Sequence, residues 1–246
     1  MNFAYAFDKG KIRERNEDSA IVLQNNYGDV FMMVLDGIGG HNQGDIASKI
    51  AQQFLVERFI KKGKFLSKID MQSFLRKSIN DCNRYLVKLN KESLKSGKVM
   101  GTTLSCYLIH DDKVLLAYLG DSRAYLINKK KMKQLSMDET YVQYLYEKGK
   151  INKKEMALHP SRHVLTNAVG CYHHIYINMT FINEEFDYLL LCSDGLYNEL
   201  SDKKMAYLIY QGHSLNSSCV NLIKQANLAG GKDNIALALY KKGDNL

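Results

Sequence analysis

The run Thr102-Thr103-Leu104-Ser105-Cys106-Tyr107-Leu108-Ile109-His110-Asp111-Asp112-Lys113-Val114-Leu115-Leu116-Ala117-Tyr118-Leu119-Gly120-Asp121-Ser122-Arg123-Ala124-Tyr125-Leu126-Ile127 holds three apolar stretches separated by two short polar breaks. Thr102 to Ile109, Val114 to Leu119 and Ala124 to Ile127 read as strands, and the breaks are of hairpin length. A parallel return would need a crossover of a dozen residues or more, so these strands must pair antiparallel. Val114-Leu115-Leu116-Ala117 is apolar at successive positions, which requires cover on both faces of the sheet.

Outward from this run, further strand patterns occur at Asn2 to Phe7, Ser19 to Leu23, Val30 to Leu35, Ile175 to Phe181, Tyr188 to Cys192 and Ile235 to Tyr240. Ile46, Ile50, Phe54 and Ile60, widened by Ala47, Ala51 and Leu55, predict one helix. Met71, Leu75, Ile79, Cys82, Leu86 and Leu89 predict a second, of about six turns. Lys203 to Tyr210 and Leu215 to Leu228 predict a third pair, the latter stopped by Gly230-Gly231. Strands and helices do not alternate strictly. The expected class is therefore α+β, with two stacked antiparallel sheets and helices outside them, a four-layer αββα sandwich. The segment from about Asp138 to His163 stands apart. It is polar and Lys-rich, with a short helix-turn-helix pattern, and is expected to form a surface flap.

The 246 residues suit one domain spanning 1–246, and 46% hydrophobic content supports a substantial core. The net charge of +8 invites a nucleic-acid reading. Its makeup argues against that reading, since 27 of the 34 cations are Lys and 7 are Arg, the better fork for phosphates and base edges. No stretch is long enough to cross a membrane and no secretion signal is visible. Five widely spaced cysteines without a CxxC pair fit reduced, buried thiols. The expectation is a cytoplasmic monomer with no nucleic-acid or membrane partner.

Acidic residues fall at strand ends. Asp36-Gly37 follows Phe31 to Leu35, Asp194-Gly195 follows Tyr188 to Ser193, and Asp121 follows Leu116 to Gly120. Asp233-Asn234 opens the last strand and Glu17-Asp18 the second. Any one Asp-Gly is ordinary turn chemistry. If these ends share one edge, several carboxylates meet and repel unless cations sit between them. Oxygen donors without a His or Cys cluster favour hard divalent ions, Mg²⁺ or Mn²⁺. The loop from Asp36 to Asp45 adds four glycines, but matches neither GxGxxG nor a Walker A loop.

Six motifs occur in order: Arg13-Glu14-Arg15-Asn16-Glu17-Asp18, Asp36-Gly37-Ile38-Gly39-Gly40-His41, Gly101-Thr102-Thr103, Gly120-Asp121-Ser122-Arg123, Ser193-Asp194-Gly195 and Asp233-Asn234. Together they resemble the series of the metal-dependent protein phosphatases, the PPM or 2C-type Ser/Thr phosphatases, in their compact bacterial form. The resemblance implies hydrolysis of phosphoserine and phosphothreonine by a water activated between two Mn²⁺ or Mg²⁺ ions. It implies phosphorylated proteins as substrates and a bacterial Ser/Thr kinase as the activity opposed. Asp36 would bridge the ions, Asp194 and Asp233 would complete one, and the Gly37 carbonyl would serve the other. Asp121 would serve a third, weaker ion. Glu17 and Asp18 would hold ion-bound waters, and Arg13 the substrate phosphate. The chain departs from the pattern at Ile38, where some relatives carry a His that protonates the leaving oxygen. It departs again at Asp138-Glu139-Thr140, where Asp-His-Ser is usual. His41 reads first as a structural loop residue and second as a proton donor. An inactive relative serving as a phosphoprotein-binding regulator, or an acid-cluster nuclease, would share parts of this pattern; the nuclease would also need a basic groove.

Overall fold

The computed structural model describes residues 2–39, 43–93, 99–129 and 131–243; Gly40 and His41, named in the motif series, lie outside them. The chain opens with β1 (Phe3–Asp8), β2 (Ser19–Gln24), β3 (Val30–Leu35) and β4 (Gly37–Gly39), then α1 (Gly44–Lys61) and α2 (Lys68–Ser93). Next come β5 (Met100–Thr102), β6 (Leu104–His110), β7 (Lys113–Leu119), β8 (Arg123–Asn128) and β9 (Lys131–Gln134). The flap helices α3 (Tyr141–Glu147) and α4 (Lys153–Leu158) precede β10 (Asn178–Ile182) and β11 (Tyr188–Cys192). The chain closes with α5 (Asp194–Tyr197), α6 (Asp202–Gln211), α7 (Leu215–Ala229) and β12 (Ile235–Lys241).

Two five-stranded sheets form, in the orders β10-β7-β6-β3-β2 and β1-β12-β11-β8-β9, with every pair antiparallel. The period of two explains how they stack. On β3, Phe31, Met33 and Leu35 face α1 and α2, while Val30, Met32 and Val34 face the other sheet. On β12, Ile235, Leu237 and Leu239 face the α5–α7 layer, while Ala236 and Ala238 turn inward. Three apolar layers result: helix on sheet, sheet on sheet, and sheet on helix. This is the αββα sandwich expected from the hairpin-length breaks.

The α2 stripe is as predicted, with Met71, Leu75, Ile79, Cys82 and Leu86 all buried. On α1 the stripe is corrected. Ile46 is 46% and Ile60 64% exposed, and the buried face is Ala47, Ser48, Ala51, Leu55 and Phe59. Small side chains let α1 lie close on the β4–β5 pair, leaving the larger isoleucines at its margin. Ala51→Leu is therefore expected to destabilise by about 1–3 kcal/mol through overpacking. Ile46→Ala should change stability by less than about 0.5 kcal/mol. Urea denaturation of the two variants measures both.

The strand expected at Ile175 to Phe181 is Asn178–Ile182 alone. Asn178 pairs with Tyr118, and β7 ends at Leu119, so Ile175 and Tyr176 lie beyond the partner strand. The β4–β5 pair, β9 and α5 were not expected. Cys82, Cys106, Cys192 and Cys219 are buried, and all five thiols are free. Among the described residues, no helix is long and apolar enough to cross a membrane.

Candidate active site

The turns at one end of both sheets bring the predicted acids together. Arg13, Glu17, Asp36, Gly37, Asp121, Asp194 and Asp233 line one cleft of about 320 Å³. Asp18 lies behind it, buried, where Ser193 Oγ donates to its Oδ2 at 2.5 Å. The same Ser193 Oγ accepts from the Ala236 N–H at 2.9 Å, so β11 and β12 orient the carboxyl together.

The motifs read in the sequence have visible local tasks. The Asp36 N–H donates to Thr103 Oγ1 at 2.9 Å, and the Asp36 carbonyl accepts from the Thr103 N–H and from Thr102 Oγ1. Thr103 Oγ1 also meets Ser122 Oγ at 2.6 Å, tying the Asp36 strand end to the Asp121 turn. Asn234 accepts the Glu17 N–H and donates to the Lys9 and Arg15 carbonyls, each at 2.8 Å, fixing the loop that carries Arg13 and Glu17. Gly37 has no room for a side chain: a Cβ there would overlap the Gly44 and Glu17 carbonyls. That crowding holds the first turn of α1 against the cleft floor.

The electrostatics are those of crowded acids. Burial, then the charges of Asp194 and Asp233, push Asp18 up to about 8, against the Ser193 hydrogen bond. Burial, then Asp18 and Asp194, raise Asp36 well above the carboxylate range. Burial, then Asp194, bring Asp121 up to about 7. Burial, then Asp233, bring Asp194 up to about 6. Glu17 is raised by burial and then by Asp45. Against them stands Arg13, whose guanidinium donates to Asp233 Oδ2 at 2.7 Å.

This donor set fits hard divalent cations. Its members are oxygens, and their repulsion is relieved wherever positive charge enters. Among the described residues no three His, Cys, Asp or Glu side chains are grouped so that they could hold an ion by themselves. Mg²⁺-type ions do not need such a group, since they keep several waters and take one or two carboxylates plus substrate oxygens.

His163 also lines the cleft and was not singled out from sequence; burial, then Arg162, lower its pKa. One residue past His159-Pro160-Ser161-Arg162, it carries no spacing signal that would have marked it. Cys192, by contrast, is buried and its thiol pushed far up by desolvation, the environment of a packing residue. A second recess of about 660 Å³ opens from the cleft beneath the flap, between α3–α4 and α5, sharing Asp121, His163, Asp194 and Asp233. The flap closes on itself through a bridge between Thr140 and Leu165.

A helix-flanked double sheet with an acid-lined cleft at one shared end is the architecture of the PPM-type phosphatases. Comparison makes the assignment specific. The protein phosphatase 2C family model matches residues 11–229. The serine/threonine phosphatase stp of Listeria welshimeri is 34% identical over 244 residues, covering 98% of this chain and 96% of that protein. Protein phosphatase PhpP of Streptococcus pneumoniae is 32% identical over 249 residues, covering 99% and 98%. The crystal structure of serine/threonine phosphatase Stp1 from Staphylococcus aureus superposes with a TM-score of 0.90 at 30% identity, covering 98% of this chain and 95% of that one. The chain belongs to the protein phosphatase 2C family and is a phosphoprotein phosphatase. The resemblance read from the six motifs is borne out.

Proposed function

We propose that this chain is a Mg²⁺- or Mn²⁺-dependent phosphatase of phosphoserine and phosphothreonine in cytoplasmic proteins, opposing a Ser/Thr kinase. The observation that carries the reading is the meeting of Asp36, Asp121, Asp194 and Asp233 with Arg13 in one cleft. The Ser/Thr specificity in the names of the Listeria and Staphylococcus relatives supports it. Asp36 would be shared between two ions, with Asp194 and Asp233 on one, the Gly37 carbonyl on the other, and Asp121 on a third, weaker one. Bound ions would supply Lewis acidity to the phosphoryl oxygens and a water deprotonated near neutral pH.

The chain's own residues do the rest. The Arg13 fork, bonded to Asp233 within the cleft, turns to the phosphate and binds two of its oxygens. Glu17, held by the Gly44 N–H, and Asp18, held by Ser193, orient water around the site. Ile38 offers no proton at its position, so any protonation of the departing serine oxygen comes from elsewhere in the cleft. The chain is proposed to act as one domain and as a monomer.

The test is phosphate release from a phosphothreonine peptide with Mn²⁺, and again after chelation. The expected result is turnover that disappears with the metal and returns on its addition. Peptide binding without turnover would instead favour the regulator reading, and neither binding nor turnover would sink both.

A further inference from the structure

Two consecutive acids at the flap entrance grip the residues on either side of Asp121. Asp138 accepts from Arg123 Nε at 2.9 Å and from its second guanidinium nitrogen at 2.6 Å. Glu139 Oε2 accepts the Gly120 N–H at 2.9 Å and Asn167 Nδ2 at 2.8 Å, and its Oε1 accepts Asn178 Nδ2 at 2.8 Å. The Glu139 main chain continues the pattern. Its N–H donates to the Gly120 carbonyl at 3.0 Å, and its carbonyl accepts the Thr166 N–H at 2.9 Å and Oγ1 at 3.0 Å.

One residue thus makes six hydrogen bonds that join the β7–β8 turn, the flap exit and β10. The turn they hold is itself tightly set. Gly120 has φ +92°, and a Cβ there would come within 2.7 Å of the Thr103 side chain, which also holds the Asp36 N–H. On the other side, Tyr197 donates to the Asp121 carbonyl at 3.1 Å, with the Arg123 guanidinium stacked 3.6 Å over its ring.

We infer that Glu139 is a positioning residue that makes the flap base and Asp121 one rigid unit: it fixes Asp121 through Gly120 and the flap exit through Thr166 and Asn167. The inference rests on the proposed metal-dependent site. It goes beyond it by giving a task to a position where this chain departs from its family's Asp-His-Ser.

The experiment compares wild type, Glu139→Leu and Glu139→Gln by two readouts. One is the Mn²⁺ concentration that half-saturates hydrolysis of p-nitrophenyl phosphate. The other, independent of activity, is the rate of tryptic cleavage in the flap at Lys148, Lys150, Lys153 and Lys154. Glu139→Leu is expected to raise the half-saturating Mn²⁺ about 10-fold or more and to speed flap cleavage by a similar factor. Glu139→Gln is expected to stay within about twofold of wild type on both. Its amide oxygen can take the Gly120 and Asn167 bonds, while a rotated Asn178 amide offers its own oxygen to the new NH₂.

Equal damage from Gln and Leu would mean that the charge acts directly and would overturn the positioning role. So would faster cleavage at an unchanged Mn²⁺ requirement, which would make Glu139 a flap staple only. If Glu139→Leu does not fold, Asn178→Ala removes one bond and should move both readouts in the same direction by about threefold; no movement overturns the inference. An inactive wild type overturns the phosphatase reading, while the cleavage assay still reports on the anchor.

Discussion

Asp36→Asn is expected to lower phosphate release by about a thousandfold or more, equivalent to roughly 4 kcal/mol of transition-state stabilisation, while raising the stability of the chelated protein. The two effects have opposite signs for one reason. Asp36 sits among Asp18, Asp194, Asp121 and Asp233, whose charges all oppose its ionisation. Asn has nearly the same shape, and the backbone contacts to Thr102 and Thr103 do not involve the replaced atom. Asn is neutral without taking up a proton, so the cost of neutralising Asp36 on folding disappears from the metal-free protein, while the shared cation-binding position that catalysis needs is weakened. Single-turnover kinetics on a phosphothreonine peptide measures the first effect and a thermal melt in chelator the second. Lost activity with a lowered melting temperature would show that Asp36 acts through structure. Activity within about tenfold of wild type would remove Asp36 from the reaction.

The acids could be found in the sequence because each follows or opens an apolar strand. Asp36 after Phe31 to Leu35, Asp194 after Tyr188 to Cys192 and Asp233 before Ile235 to Tyr240 can be located by periodicity alone. Antiparallel pairing of β11 with β12 puts the Asp194 and Asp233 ends on one side; that the Asp36 end of β3 joins them is set by how the two sheets stack. The α2 stripe was equally plain, since its large apolar residues fall at strict helical spacing. What escaped has short range or no period. Gly37–Gly39 and Met100–Thr102 are three-residue strands built around glycines. Lys131–Gln134 is a partly exposed edge strand with a polar sequence. Asp194-Gly195 reads as a turn but starts the four-residue helix α5, which brings Tyr197 to Asp121. On α1 the large isoleucines misled, because the start of the helix packs on the β4–β5 pair through the small residues Ala47, Ser48 and Ala51, and Leu55 and Phe59 rather than Ile46 and Ile60 complete the buried face. Glu139 was legible only as a departure from a motif. Its partners Gly120, Asn167 and Asn178 are set by tertiary folding, and nothing in their spacing announces them.

The chelated protein is expected to lose stability as pH rises from 6 to 8, against the usual behaviour of carboxylates held in ion pairs. Asp194, Asp121 and Asp18 titrate at about 6, 7 and 8 in the folded chain, raised by burial and by one another. Unfolded Asp titrates near 3.9, so across this window the native state holds more protons than the unfolded one. The unfolding free energy therefore falls with pH. The contribution is fully present below about pH 4 and disappears as pH passes each folded value. Discounted for coupling among the three and for water in the cleft, the loss between pH 6 and 8 is roughly 2–4 kcal/mol. Saturating Mn²⁺ should reverse the trend, since cations and protons compete for the same oxygens and the cations win as pH rises. Urea midpoints at pH 6, 7 and 8, with chelator and with Mn²⁺, give the comparison. A chelated midpoint that is flat or rises with pH would mean that these carboxylates do not crowd one another in solution. A Mn²⁺ increment no larger at pH 8 than at pH 6 would separate metal binding from them altogether.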